Sequence, residues 1–92
     1  MKFLIDLGIS EEAIGALKDA NLYDLQMNEK KITEIILFLK SMGIKNLDEL
    51  IIYELRILYM DLEQVKKAFN IPNQEEMVDL INNDIMAIDE IL

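Results

Sequence analysis

A short phrase of apolar residues and glycine occurs twice in this sequence and then returns in a degenerate form. In the first two copies, a phenylalanine–leucine pair is followed by a glycine between two apolar residues, and then by acidic residues. The three copies are residues 3–12, 38–49 and 69–76. A second phrase separates them, at residues 22–28 and 55–61. Phrases that recur in the same order predict helical units that pack against one another.

Polar residues that favour helix N-termini occur at five places along this pattern. They are Ser10, Asn28, Asn46, Asp61 and Asn73. Glu49 and Gln64 follow two of these residues at the spacing of a reciprocal capping box. The five residues form two alternating classes, with intervals of 36 and 27 residues in one class and 33 in the other. These intervals are close to the periods of helical repeat proteins.

Two glycines carry different predictions. Gly43 should form a left-handed cap at the end of the longest helix, residues 29–42, with Ile44 folded back onto the last turn. Gly15 lies inside a predicted helix, where glycine costs roughly 1 kcal/mol relative to alanine. We therefore interpret Gly15 as a point of close contact between helices.

Apolar residues at helical spacing define the expected core. The longest helix has an apolar stripe that Leu37 and Phe38 widen, so we expect this helix to be covered on two sides. We also expect a buried turn at residues 22–27 and a last short helix from Ile85. The predicted core residues of the helices are Ala13, Ile14, Leu17, Ile32, Ile35, Ile36, Leu39, Met42, Leu47, Leu50, Ile51, Leu62, Val65, Phe69, Met77, Leu80 and Ile81.

Length and composition favour one domain spanning residues 1–92. The chain contains 52% hydrophobic residues and no cysteine, and it lacks an apolar run close to the roughly 20 residues that cross a bilayer. Its first apolar segment meets Asp6 too early for the apolar region of a signal peptide, which needs about 7–15 residues. We therefore expect a cytoplasmic protein that is not inserted in a membrane.

Two segments carry a family resemblance. Residues 4–14 read Leu-x-x-Leu-Gly-Ile-Ser-x-Glu-x-Ile, and residues 36–44 read Ile-x-Phe-Leu-Lys-Ser-Met-Gly-Ile. Both resemble the repeats of the mitochondrial transcription termination factor family, over nearly the whole chain. The resemblance implies an all-α fold: a short right-handed stack of about two and a half helix-turn-helix units with short 3₁₀ turns. It also implies nucleic-acid binding through basic residues on the concave side.

The residue types argue against an enzyme. Histidine and cysteine are absent, which removes the usual general base, the thiolate nucleophile and the transition-metal ligands. Three pairs of adjacent acids each open a predicted helix, where the helix dipole favours negative charge: Glu11-Glu12, Asp48-Glu49 and Glu75-Glu76. We therefore predict a binding module without catalytic residues, cofactor or metal.

The charge distribution favours a protein partner over nucleic acid. The net charge is −9, and residues 68–92 contain six acids and no base. An acidic protein is repelled by phosphates unless its bases gather on one face. Such a face is the alternative hypothesis, and its candidate stripe for nucleic acid or another partner is Lys30, Lys31, Arg56, Lys66 and Lys67. A third hypothesis is an acidic decoy that occupies a DNA site through residues 68–92.

The C-terminal apolar residues suggest self-association. An array of stacked helices needs a polar cap at each end, and the third unit stops where the second helix of its pair should begin. The candidate face of a possible homodimer is Ile85, Met86, Ile88, Ile91 and Leu92. The alternative is that these residues fold back onto the helix of Met77, Leu80 and Ile81.

Overall fold

The structure, a computed structural model, describes residues 2–19 and 28–92, and its regular elements are helical throughout these ranges. The predicted buried turn at residues 22–27 lies outside them. In chain order, the elements are α1 (Lys2–Asp6), α2 (Glu11–Asp19), α3 (Glu29–Ser41), α4 (Leu47–Tyr53), the 3₁₀ helix η1 (Leu55–Tyr59), α5 (Leu62–Phe69), α6 (Gln74–Asn83) and the 3₁₀ helix η2 (Ile85–Glu90). None of the described helices is long and apolar enough to span a bilayer.

One order of elements occurs twice in the described residues: two α-helices followed by a 3₁₀ helix. We refer to α3, α4 and η1 as the second unit, and to α5, α6 and η2 as the third unit. Helices α1 and α2 precede them and form the described part of the first unit. Three pairs of corresponding helices lie side by side: α1 contacts α3, α3 contacts α5, and α2 contacts α4. Helix α4 also contacts η2 of the third unit.

The repeated glycine phrase forms the same backbone motif in the first and second units. Gly8 and Gly43 have φ values of +89° and +95°. The N–H of Ile9 donates to the carbonyl of Leu4 at 3.0 Å, and that of Ile44 donates to Leu39 at 3.2 Å. These six-to-one hydrogen bonds are those of a Schellman motif, so the prediction of a left-handed cap with a folded-back isoleucine is confirmed.

The third copy of the phrase does not form this motif. Asn70 is the C-cap residue of α5, and its φ of −84° is negative, unlike the positive φ of Gly8 and Gly43. The N–H of Ile71 donates to Phe69, only two residues back, at 3.0 Å. In the third copy, Asn70 precedes the isoleucine, whereas glycine precedes it in the other two copies. The chain therefore leaves α5 by a tighter turn toward Pro72.

The predicted core is largely confirmed. Most of its members are less than a tenth exposed, and the core also includes Leu4, Ile9, Ile44, Ile57, Leu58, Val78 and Ile88. The prediction of burial is wrong for two residues, because the side chains of Leu37 and Leu80 are each 50% exposed. Val78 is buried in α6 instead of Leu80, so the buried stripe of this helix is rotated from the predicted one. Helix α3 is correspondingly not covered over its whole apolar surface.

The helix starts follow the sequence in part. Ser10 Oγ accepts a hydrogen bond from the N–H of Ala13 at 3.2 Å, which confirms its capping role. The reciprocal box between Asp61 and Gln64 is also present, and the N–H of Asp61 donates to Gln64 Oε1 at 2.9 Å. Asn28, Asn46 and Asn73 occupy the predicted N-cap positions without a side-chain capping hydrogen bond.

The predicted capping box of Asn46 and Glu49 is therefore wrong. Asn46 Nδ2 instead donates to the carbonyl of Ile81 at 3.1 Å. Ile81 lies in the last turn of α6, where backbone carbonyls have no partner within the helix. A long-range hydrogen bond thus takes the place of the local one.

The described residues do not show the close helix contact that we interpret at Gly15. Among residues 2–19 and 28–92, no heavy atom of a neighbouring element lies within 4 Å of a Cβ atom built on this glycine.

Candidate binding groove between α3, α5 and α6

Polar side chains fix the loops that follow the two glycine caps. The N–H of Ser10, in the loop after α1, donates to Asp48 Oδ1 at 2.9 Å. The N–H of Lys45, in the loop after α3, donates to Asn82 Oδ1 at 2.8 Å, and Asn82 Nδ2 donates to the carbonyl of Gly43 at 3.0 Å. In both cases, a side chain from the second helix of the next unit holds the loop, which fixes the relative positions of neighbouring units.

The first helices of these units are also linked. Lys40 of α3 donates a hydrogen bond from Nζ to the carbonyl of Leu7 at the end of α1. Between α3 and α5, the rings of Phe38 and Phe69 pack edge to face, with centroids 6.0 Å apart and an interplanar angle of 73°. This geometry is favourable for two aromatic quadrupoles. Phe69 is fully buried, whereas Phe38 is half-buried.

The partly open face of Phe38 belongs to a surface groove of about 540 Å³. Helix α3 contributes the aromatic ring, α5 contributes three charged side chains, and the start of α6 contributes an amide. The groove residues are Phe38, Glu63, Lys66, Lys67, Asn70 and Gln74. We refer to this site as the Phe38 groove. Its size is in the range of small-ligand sites, although it is open to solvent on one side.

Helical periodicity places the charges on the solvent side of α5. Val65 and Phe69 are buried in the core, whereas Lys66 and Lys67 are exposed. At the other wall, Gln74 Nε2 donates to the carbonyl of Phe69 at 2.8 Å and lies 3.7 Å from Met42 Sδ. The amide wall is therefore fixed, whereas the two lysines can adapt to an occupant.

The five residues of the predicted basic stripe have different surroundings. Lys66 and Lys67 line the Phe38 groove, as described above. Lys31 forms an ion pair with Asp61 at 3.0 Å. Lys30 is exposed in the first turn of α3. The structure thus brings two of the five lysine and arginine residues into one groove, and a third is engaged with the N-terminus of α5.

Arg56 is engaged with a buried carboxylate. Its Nε lies 2.7 Å from Glu54 Oε1 and its Nη2 lies 2.8 Å from Oε2, which is a bidentate arrangement. Glu54 is 8% exposed, and it is the buried charged residue among the described positions. The hydrogen bonds from Arg56 hold the pKa of the Glu54 carboxyl below its ordinary value, against the opposing effect of burial. This pair has a structural role at the junction of α4 and η1.

Two of the three tyrosines, Tyr53 and Tyr59, lie in the described ranges, whereas Tyr23 lies outside them. Tyr53 is 40% exposed, and its hydroxyl donates to Asp89 Oδ2 at 2.5 Å. This hydrogen bond raises the pKa of the Tyr53 phenol, and burial adds to the effect. Tyr53 therefore links α4 to η2. Tyr59 is 41% exposed at the end of η1.

The predicted self-association residues do not form one exposed face. Ile88 is fully buried, and Ile85, Ile91 and Leu92 are partly buried against the core. Met86 is 60% exposed, and it is the one of the five that projects into solvent. The alternative that these residues fold back is thus the observed arrangement, because η2 packs on α4 and α6. Self-association stays a prediction, and Met86 would have to be the centre of the contact.

Several site residues were not identified from the sequence. The sequence pattern predicts only a core position for Phe38, and it predicts no role for Asn70 or Gln74. A signal was present nonetheless: the lysine pair precedes a helix end at Asn70, and Pro72 forces a turn there. A turn between two helices commonly leaves a surface depression, and the adjacent lysines identify its charge.

Neither a metal centre nor a relative assigns a function to these residues. Over residues 2–19 and 28–92, no three acidic side chains lie close enough together to hold a metal ion. The chain matches no family model, no curated protein and no solved structure.

Proposed function

We propose that this chain is a non-enzymatic helical-repeat module that binds another protein. We infer a short stack of helical units and propose that it is right-handed. Three observations support the stack: the order of elements recurs, three pairs of corresponding helices lie side by side, and the same glycine motif ends α1 and α3. The junctions are fixed by side chains such as Asp48 and Asn82. A stack of this kind offers a firm surface on which loops and helix ends form a binding site.

The Phe38 groove is the observation that carries the proposal. It combines a half-buried aromatic ring, two lysines and two side-chain amides within about 540 Å³. Protein interfaces are enriched in aromatic anchors surrounded by polar groups. The titratable members of the groove are Glu63 and the two lysines, and all three side chains are exposed to solvent. Its chemistry is that of recognition.

Nucleic-acid binding is the second candidate, and Lys66 and Lys67 are the observation that favours it. A phosphate backbone needs a track of several bases, since duplex DNA carries a charge about every 1.7 Å. Here Lys31 and Arg56 are already paired with acids. The net charge of −9 further opposes approach to a polyanion.

The two candidates are distinguished by direct cross-linking. The purified chain, carrying a photoreactive group at exposed Lys30, is irradiated in a nuclease-treated lysate of the native host. We expect discrete protein adducts, identified by mass spectrometry. The proposal is overturned if no protein is cross-linked and fluorescence anisotropy shows micromolar binding to duplex DNA or single-stranded RNA. That binding would have to weaken with added salt and with the double variant Lys30→Glu, Lys66→Glu.

A further inference from the structure

The lining of the Phe38 groove contains two bases and one acid, although the whole protein is acidic. Lys66 and Lys67 face a single acid of the groove, Glu63. Within the part of the chain that the structure describes, the ion pairs are those of Lys31 with Asp61 and Arg56 with Glu54, so the two groove lysines form none. Residues 68–92, which follow the lysines directly, contain six acids and no base.

The groove also has an apolar part next to the charges. Phe38 is half-buried and is held against Phe69, so its exposed edge has a fixed position. Gln74 lies at the opposite wall, where its amide is fixed by the carbonyl of Phe69. An occupant would thus meet a rigid apolar surface and two adaptable ammonium groups at the same time.

We propose that the Phe38 groove binds a short acidic segment of a partner protein. One apolar side chain of the segment packs against Phe38, and neighbouring carboxylates pair with Lys66 and Lys67. This inference rests on the proposed protein-binding function and names its site and the chemistry of its partner. A volume of about 540 Å³ accommodates a few side chains, which fits a short segment better than a whole domain surface.

The surroundings of the groove favour carboxylates over a nucleic-acid backbone. Glu75 and Glu76 follow Gln74 directly and are exposed at the first turn of α6, beside the groove. A phosphate chain extends its charge beyond two lysines in both directions, so it would approach these acids. A segment with two or three carboxylates can place its charge at the lysines alone. Charge complementarity of this local kind determines which partner is accepted.

The test uses a defined peptide and the full chain. The probe is an acetylated, amidated peptide of sequence Ser-Glu-Leu-Phe-Glu-Glu, which carries three carboxylates, titrated into ¹⁵N-labelled protein at moderate salt. We expect the amide signals of Lys66, Lys67, Asn70 and Gln74 to shift together and to saturate. A peptide with glutamine in place of glutamate, and one with serine in place of leucine and phenylalanine, should each bind about tenfold more weakly.

Two double variants with the same change of net charge provide the control. Lys66→Glu with Lys67→Glu should weaken peptide binding at least about tenfold, whereas Lys2→Glu with Lys18→Glu should change it much less. All four lysines are exposed, so both variants should keep the wild-type melting temperature. Equal losses in the two variants would show non-specific attraction and would overturn the groove assignment.

Two further outcomes separate this inference from the proposed function. One outcome is that the partner protein is cross-linked equally to wild type and to the variant Lys66→Glu with Lys67→Glu. In that case the proposal of a protein-binding module stands, and the assignment of its binding site to the Phe38 groove is wrong. If a single-stranded RNA dodecamer produces the same shifts at lower concentration than the peptide, and the groove variant abolishes them, the occupant is nucleic acid and both proposals fail.

Discussion

Ser10 and Asp48 lie 38 positions apart in the chain, yet the backbone N–H of one donates to the carboxylate of the other at 2.9 Å. Ser10 has two roles at the same point, because its hydroxyl also caps α2. The backbone of the loop is therefore fixed by the second unit, while its side chain starts a helix of the first unit. This residue couples helix formation within one unit to the position of the next.

The first prediction tests that coupling. Asp48→Ala removes the acceptor of the Ser10 N–H and should lower the free energy of unfolding by about 1–2 kcal/mol, as expected for a part-buried, charge-assisted hydrogen bond. Glu49→Ala is the matched control, because Glu49 is also in the first turn of α4 but is exposed. Urea unfolding followed by circular dichroism measures both. Equal losses of unfolding free energy in Asp48→Ala and Glu49→Ala would mean that both substitutions act only through the helix dipole.

The second prediction gives two glycines opposite effects. Gly43→Ala should destabilise by about 1–2 kcal/mol, since alanine is strained at a φ of +95°. Gly15→Ala should stabilise by about 0.5–1 kcal/mol, because the helix gains propensity and the added methyl group meets no neighbouring element among the described residues. Thermal unfolding of the two variants is the measurement. A Gly15→Ala protein that melts below wild type would restore the close-contact interpretation.

The third prediction concerns the buried carboxylate of Glu54. Arg56→Ala leaves this group without its bidentate partner and should lower the free energy of unfolding at neutral pH. Because the folded-state pKa of Glu54 lies below its ordinary value of 4.5, the stabilisation is full above about pH 4.5 and is lost as the pH falls through the folded-state pKa. The difference between wild type and variant should therefore shrink in acid.

A double variant is the control for this pair. Glu54→Gln with Arg56→Ala removes the buried charge together with its partner, so it should recover part of the stability lost in Arg56→Ala and show a weaker pH dependence. Urea unfolding at neutral and acidic pH measures the three proteins. A difference between Arg56→Ala and wild type that stays constant over this range would contradict a role for the Glu54 carboxylate.

The fourth prediction separates folding from self-association at η2. Ile88→Asp places a charge at a fully buried position and should abolish cooperative unfolding. Met86→Asp changes an exposed side chain and should leave the melting temperature within a few degrees of wild type. Sedimentation equilibrium at about 100 micromolar then tests the possible dimer. A wild-type dimer that Met86→Asp leaves intact would exclude Met86 as its contact.

Features that depend on a few neighbouring residues could be predicted from the sequence. The cap at Gly43, the hydroxyl of Ser10 and the box of Asp61 with Gln64 each involve residues within five positions of one another. Their hydrogen bonds are determined by local backbone geometry. The helical character of the described chain follows from the same local signals, together with apolar periodicity.

Features that depend on distant partners could not be predicted. Asn46 has a local partner at capping-box spacing, but it bonds to Ile81, 35 residues away. The exposure of Leu80 depends on how α6 is rotated against the core, which a periodicity of 3.6 residues does not determine within one position. The Phe38 groove likewise requires α3, α5 and α6 to meet, so its lysines were identified but its aromatic and amide walls were not.

The different positions of the two loop-holding side chains have a consequence for folding fidelity. Asp48 is the second residue of α4, whereas Asn82 lies next to the last residue of α6. A chain built from similar units can pair the wrong ones during folding and become trapped. If α6 took the place of α4 against the first unit, Asn82 would lie at the opposite end of the helix from Asp48. At the position of Asp48, α6 has Glu75, so the N–H of Ser10 would meet a longer carboxylate side chain, and an exchange of units would not reproduce the native contact.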